Sequence, residues 1–287
     1  MCSSDLLPDN DAPTIAADAA SVAIEEGQTA SNAGSFADPD GDLVSLAASI
    51  GTVIDLGGGR WSWSWIAADG PADSRTVSIT APDPLGRATS TNFSLAVANA
   101  APTATFAAVG ANYGQTATAT FTSMDDASAI AEAAGFRYQF SLSAAGLNLA
   151  AIGTNPVAQF AGLAAGGYTV YARILDKDGG ATDYSAPFTV SKANAAVIVT
   201  GHTGTYDGQA HGLTGAAVGA LGEDLAAFLD LGASRTHAGT TDIGWTFAGD
   251  DNHFPASGIA SIVIAPAALT VTANDATRAY GTPNPTF

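Results

Sequence analysis

The sequence predicts an all-β chain made of tandem β-sandwich modules and a small mixed, mostly-β module, like beads on a string. A short phrase occurs twice, as Asn-Asp-Ala-Pro-Thr at residues 10–14 and as Asn-Ala-Ala-Pro-Thr at residues 99–103. Each copy opens a stretch of alternating apolar and polar residues bounded by Gly-rich turns. The copies begin 89 residues apart, which is about the length of one immunoglobulin-like sandwich.

The repeated phrase also places the predicted module boundaries. A proline fixes its own φ and biases the preceding residue toward extended geometry, so each phrase predicts a stiff joint. We therefore expect an N-terminal tail at 1–10, sandwiches at 11–100 and 101–193, a third module at 194–267, and the start of a truncated further repeat at 268–287.

In the first module, residues 22–24 predict an edge strand and residues 43–49 and 52–55 predict weak strands. Residues 75–81 and 87–97 predict the closing pair of strands. The clearest strand is Arg60 to Trp65, in which Trp61, Trp63 and Trp65 share one face. Packing of these indoles in the core is the favoured interpretation. If they were exposed, they would form a flat platform for binding sugar rings.

The second module is expected to have strands at 116–122, 136–142, 168–175 and 182–190. Residues 127–134 predict a helical turn or an alanine-rich loop that ends at Gly135. Its closing hairpin aligns with that of the first module, so that Asp176 matches Asp83 and Gly179 matches Gly86. The alignment predicts one turn chemistry used twice: an aspartate that bonds nearby amides and a glycine with positive φ.

The third module is predicted to have strands at 196–200, 245–248 and 260–264, with one long helix from Gly222 to about Leu231. Pro266 is predicted to break the chain, and residues 269–273 to begin a fourth unit that stops at Phe287.

Composition limits the function. With 9 basic and 27 acidic residues and a formal charge of −18, the chain has little with which to neutralise phosphates, so a nucleic-acid partner is not expected. Cys2 is the only cysteine, which leaves no intrachain disulfide.

Residues 1–6 share no pattern with the rest and match the translation of a common sequencing adapter, which predicts an artefact. A genuine short tail is the alternative.

The pattern of acidic residues predicts calcium as a cofactor. Asp38, Asp40 and Asp42 alternate around a proline and a glycine, with Glu25 and Glu26 earlier in the chain. Such spacing brings hard oxygen ligands around one ion. Asp176 and Asp178 form a second candidate pair. The alternative is a turn with solvated carboxylates.

Catalytic patterns are missing from the sequence. It has no nucleophile elbow, phosphate loop or dinucleotide fingerprint. The four histidines lie in the third module, and no two have a spacing that suits a metal on one helix face. We therefore expect no enzyme.

Several segments resemble bacterial surface repeats. Residues 38–42, 61–65 and 83–86 are similar to cadherin-like or PKD-like modules, and residues 168–180 are similar to the closing hairpin of a PKD domain. The Trp-Asp-Phe-Gly-Asp-Gly motif of PKD domains is absent. Residues 206–209 and 280–285 resemble the openings of two MBG or YDG-type adhesin repeats.

This resemblance implies a non-catalytic fragment of a large secreted or cell-surface bacterial adhesin or matrix protein that acts as a stalk. The alternative is a set of accessory carbohydrate-binding modules of a secreted polysaccharide-degrading enzyme. The expected partners are a host-cell, matrix or glycan surface or sister cells, with no direct membrane insertion and a monomeric fragment.

Overall fold

Alternating sequence forms strands throughout the computed structural model, which describes residues 9–284. The predicted tail at 1–10 therefore lies almost entirely outside the described residues. Clustering of contacts divides the chain into two compact units. The first contains residues up to 110 together with 117–160 and 167–189. The second contains 111–116, 161–166 and the residues from 190 onward. The fold class is confirmed as all-β.

Eight strands form the sandwich at the start of the first unit: β1 (Thr14–Ala17), β2 (Ser21–Glu25), β3 (Thr29–Ala37), β4 (Ala47–Ala48), β5 (Thr52–Gly57), β6 (Arg60–Ile66), β7 (Arg75–Pro82) and β8 (Ala88–Ala98). One sheet has the order β1-β3-β6-β5 and the other β2-β8-β7-β4. Strand β2 runs parallel to β8, whereas the other pairs are antiparallel. Of the predicted strand at 43–49, only residues 47–48 pair as a strand.

The core of this sandwich is built around the tryptophan strand. Trp61 is 0% exposed and Trp63 is 1% exposed, packed with Val77, Ile79 and Phe93 from the facing sheet. Gly34 lies opposite Trp61 in the register. A Cβ atom at Gly34 would be 2.3 Å from the Trp61 ring, so the missing side chain makes room for the indole.

The second sandwich completes the first unit with β9 (Thr103–Val109), β11 (Ala117–Asp125), α1 (Ala129–Ala134), β12 (Arg137–Ser141), α2 (Ala144–Leu147), β13 (Val157–Phe160), β14 (Gly166–Leu175) and β15 (Ala181–Ser191); the short β10 (Ala111–Asn112) precedes β11. One sheet has the order β13-β11-β9, and β12, β14 and β15 form the other. Phe121, Tyr138 and Ile174 are buried between them. Gly135 caps α1 with a positive φ of 80°, as the sequence predicts.

The second unit contains β10 with β16 (Ala193–Asn194), β17 (Ala196–Thr200), β18 (His202–Thr205), β19 (Thr214–Val218), β20 (Leu229–Asp230), β21 (Gly239–Phe247), β22 (His253–Phe254) and β23 (Ala256–Ala265). The main sheet has the order β18-β23-β21-β20. Leu213, Ile243 and Ile262 are buried against it.

One expectation for the second unit is wrong. The predicted helix from Gly222 to Leu231 is only a 3₁₀ turn at Ala226–Phe228, because Leu225 packs with Ala217 and Phe247 and the chain then continues as strand β20. Residues 269–273 form no strand. Leu269 and Val271 are 88% and 83% exposed.

Candidate functional site

The end of the first sandwich that carries the repeated phrase gathers the predicted acidic residues. Strand β3 ends at Ala37, and Asp38 follows it. The Oδ1 atom of Asp38 accepts hydrogen bonds from the amides of Asp40 and Asp42, at 2.9 and 3.1 Å. This is the Asx-type turn that the sequence left as the alternative to a metal site. Asp40 in turn accepts from the amide of Asp11 at 2.6 Å.

A second aspartate, Asp83, lies at the same end. Its Oδ1 atom accepts from the amides of Leu85 and Arg87, at 2.8 and 3.0 Å, and its Oδ2 atom accepts from Asn10 Nδ2 at 3.0 Å. Two oxygens here are buried with no hydrogen-bond partner: Asn10 Oδ1 and Asp38 Oδ2. A buried oxygen without a donor is costly unless a cation or water meets it.

The end of the second sandwich repeats this arrangement. Asp176 is fully buried, its Oδ1 atom accepts from the amides of Asp178 and Gly180 at 2.8 and 2.9 Å, and its Oδ2 atom accepts from Asn99 Nδ2 at 2.8 Å. Gly179 has φ of 93° and Gly86 has φ of 94°. The predicted turn chemistry is therefore present twice.

The unpartnered oxygens recur as well. Asn99 Oδ1 and Asp126 Oδ2 are buried without a partner, and Asp126 follows strand β11 as Asp38 follows β3. Sequence reasoning missed Asn99 and Asp126. The signal was the repeated phrase itself, whose asparagine bonds the hairpin aspartate in both sandwiches.

The joint between the first and second sandwiches is acidic and hydrogen-bonded. Glu26 is 2% exposed; its carboxylate accepts from the amides of Gly70 at 2.7 Å and Ala100 at 2.9 Å. Glu26 therefore serves the joint rather than the Asp38 turn. Asp69 accepts from Ser128 Oγ at 3.1 Å, and the ammonium of Lys177 lies 2.8 Å from Asp69 Oδ1.

The charges at the joint perturb one another. Burial raises the pKa of Asp126, and repulsion from Glu26, Asp176 and Glu132 raises it further, against the hydrogen bond from the Ser128 amide. The pKa of Lys177 is raised by its hydrogen bonds to Asp178 and Asp69. Electrostatics therefore favour positive charge at this joint.

The predicted ligand sets are not assembled as metal cages. Among residues 9–284, no group of three or more His, Cys, Asp or Glu side chains is arranged to hold a metal ion. The carboxylate of Asp178 pairs with the ammonium of Lys177 at 2.5 Å. The calcium assignments at Asp38, Asp40, Asp42, Asp176 and Asp178 stay predictions.

The tryptophan face is not a platform. Trp61 and Trp63 are core residues, as the favoured interpretation predicts, and Trp63 Nε1 donates to the Ile50 carbonyl at 2.7 Å. Trp65 is half-buried, and the guanidinium carbon of Arg75 lies 5.4 Å from its ring centroid. Two of the three indoles are therefore inaccessible to a sugar ring.

Two histidines of the second unit lie side by side, a contact that their sequence spacing did not predict. The rings of His202 and His211 stack with centroids 4.0 Å apart, and His211 Nε2 lies 3.0 Å from Asp207 Oδ1. His253 is buried; its Nε2 accepts from the Ala220 amide at 3.1 Å, so Nδ1 carries the proton and donates to Asp250 at 2.8 Å.

Acid is expected to open the Asp83 turn. Burial raises the pKa of Asp83, but hydrogen bonds from Asn10 and from the amides of Arg87 and Leu85 outweigh it and hold the pKa below its usual value. The stabilisation is therefore complete above about pH 4 and is lost as the pH falls through the lowered pKa. Amide exchange at Leu85 and Arg87, corrected for its intrinsic pH dependence, should accelerate there. An exchange rate that does not change as the Asp83 carboxylate becomes protonated would contradict the assignment.

One family model matches the first sandwich. Residues 10–96 match the family described as the bacterial Ig domain, which confirms the predicted immunoglobulin-like sandwich over that stretch. No curated protein sequence matches the chain. None of the helices within residues 9–284 has the length and apolar character needed to cross a membrane.

Similar solved structures include extracellular cadherin domains 3–6 of protocadherin gamma B2, at 14% identity and a TM-score of 0.34, covering 91% of this chain and 80% of that one. Titin domains Z1Z2 in complex with telethonin match at 16% identity and a TM-score of 0.36, covering 65% and 100%. The titin I-band fragment I67–I69 matches at 10% identity and a TM-score of 0.31, covering 88% and 98%.

Proposed function

We propose that this chain is a non-catalytic spacer segment of a secreted or cell-surface bacterial adhesin or matrix protein. The observation that carries the proposal is the tandem arrangement of β-sandwiches in which the same end chemistry, Asn10 with Asp83 and Asn99 with Asp176, is used twice. Repetition of one module, each in contact only with its neighbours, is how serial proteins add length. Contact of such a protein with a glycan, matrix or cell surface is part of the same proposal.

Scattering of the full chain in solution tests the spacer role. A single compact globule of 287 residues has a radius of gyration of about 19 Å. Modules arranged in series should give a value well above this and a maximal dimension that is independent of protein concentration. A radius near that of a globule would remove the spacer role.

Calcium at the end of the first sandwich is the second part of the proposal. Asn10 Oδ1 and Asp38 Oδ2 are buried acceptors without donors, and Asp40 and Asp42 lie on the same turn. Carboxylate and amide oxygens are the ligands that calcium prefers, and extracellular modules bind it with dissociation constants of about 0.1–1 mM. A bound ion would fix the incoming chain at Asn10 against the sandwich.

Melting of the first sandwich in calcium and in chelator tests this site. At a calcium concentration of ten times Kd, binding should stabilise the sandwich by about 1.4 kcal/mol, and Asp38→Asn should abolish the difference. The matched control is Asp55→Asn, which alters an exposed aspartate that bonds the Gly57 amide on the same sandwich. Equal melting temperatures of the unaltered chain in both buffers would contradict calcium binding at this site.

The carbohydrate-binding alternative loses its main support. It depended on an exposed tryptophan face, whereas Trp61 and Trp63 are buried and Arg75 lies over Trp65. We therefore favour the spacer function.

A further inference from the structure

Several carboxylates lie together at the joint between the first and second sandwiches, and not every carboxylate oxygen there accepts a hydrogen bond. Glu26 and Asp69 come from the first sandwich and are 2% and 8% exposed. Asp126 and Asp178 come from the second, and Asp126 Oδ2 is buried without a partner. Glu26 and Asp126 repel each other across the joint, and a positive charge among the carboxylates would offset this repulsion.

Lys177 supplies that charge across the joint. It belongs to the turn between β14 and β15, yet its Nζ lies 2.8 Å from Asp69 Oδ1 of the other sandwich and 2.5 Å from Asp178 Oδ2 of its own. The side chains of these three residues are 26%, 11% and 19% exposed. The bridge is therefore partly shielded from water, where an ion pair is stronger than on an open surface.

The equivalent turn of the first sandwich lacks this group. Asp83 matches Asp176, so Pro84 and Leu85 occupy the positions of Lys177 and Asp178. Both turns have the same aspartate hydrogen bonds and the same positive φ at glycine. The lysine is thus not needed for the turn itself, and its role lies in what it contacts across the joint.

We propose that the Lys177 ammonium acts as a tethered cation that holds the first and second sandwiches together in place of a divalent metal ion. The joint is then ordered in the presence of a chelator, whatever happens at the Asp38 turn. The proposal concerns this joint alone, so its failure would leave the spacer function and the first calcium site to be judged by their own tests.

Amide exchange at the joint, followed by NMR on the full chain, tests the proposal. The reporters are the amides of Gly70 and Ala100, which donate to Glu26. In the unaltered chain, both should exchange at the same rate in EDTA and in calcium. In Lys177→Met, exchange in EDTA should be about tenfold faster, and calcium should restore protection because the carboxylates remain.

Matched variants separate bridging from simple loss of charge. Arg173→Met removes an ion pair with Asp183 inside the second sandwich and should leave both reporter amides unchanged. Asp69→Asn removes the other half of the bridge and should resemble Lys177→Met in EDTA. Three outcomes would overturn the inference: faster exchange of the unaltered joint in EDTA, equal exchange in Lys177→Met and Arg173→Met, or no recovery of Lys177→Met in calcium.

Discussion

Replacing Trp63 by alanine is expected to lower the free energy of unfolding of the first sandwich by about 3–5 kcal/mol. The indole is 1% exposed, packs edge-on against Phe93 at a centroid distance of 5.0 Å and donates to the Ile50 carbonyl. The change would leave a cavity and an unpaired carbonyl, and little around the site can collapse into the space. Chemical denaturation followed by circular dichroism measures the loss.

The control for this prediction lies on the same strand. Ile66 is 65% exposed, so Ile66→Ala should change the stability by no more than about 0.5 kcal/mol. A small effect of Trp63→Ala on stability, together with weaker binding to glycans, would instead favour a surface role for the tryptophan strand.

Replacing Asp176 by alanine is expected to lower the free energy of unfolding of the second sandwich by about 3 kcal/mol. The side chain is fully buried and accepts from two amides and from Asn99 Nδ2. Its removal leaves three partly buried donors without an acceptor, so the turn and the linker should loosen together. Calorimetry of the second sandwich, with exchange at the Gly180 amide, reports both effects.

Asp183→Ala is the matched control, because it removes an aspartate whose side chain is 56% exposed and whose partner is Arg173. Exposed ion pairs contribute about 0–1 kcal/mol. A loss at Asp176 no larger than the loss at Asp183 would mean that the buried carboxylate does not organise the joint.

Local chemistry was predictable from the sequence. The turns at Asp83 and Asp176 are determined by an aspartate and a glycine a few residues apart, and both form as expected. The tryptophan strand was predictable because side chains alternate across a strand, so one apolar face identifies the buried side.

Long-range pairing was not predictable. Residues 222–231 carry a helix-like start, but burial of Leu225 beside Phe247 determines their conformation. The joint was missed for the same reason, since Asp69 and Lys177 are 108 positions apart. Sequence spacing shows which carboxylates are near one another in the chain, but not which cation from another module lies among them.

The parallel pairing of β2 with β8 has a mechanical consequence. Five residue pairs, from Ser21 with Ser94 to Glu25 with Ala98, join strands near the two ends of the first sandwich. Tension applied through those ends pulls the strands past each other along their length, so the hydrogen bonds between them are loaded in shear together rather than opened one at a time. We therefore expect the first sandwich to resist stretching.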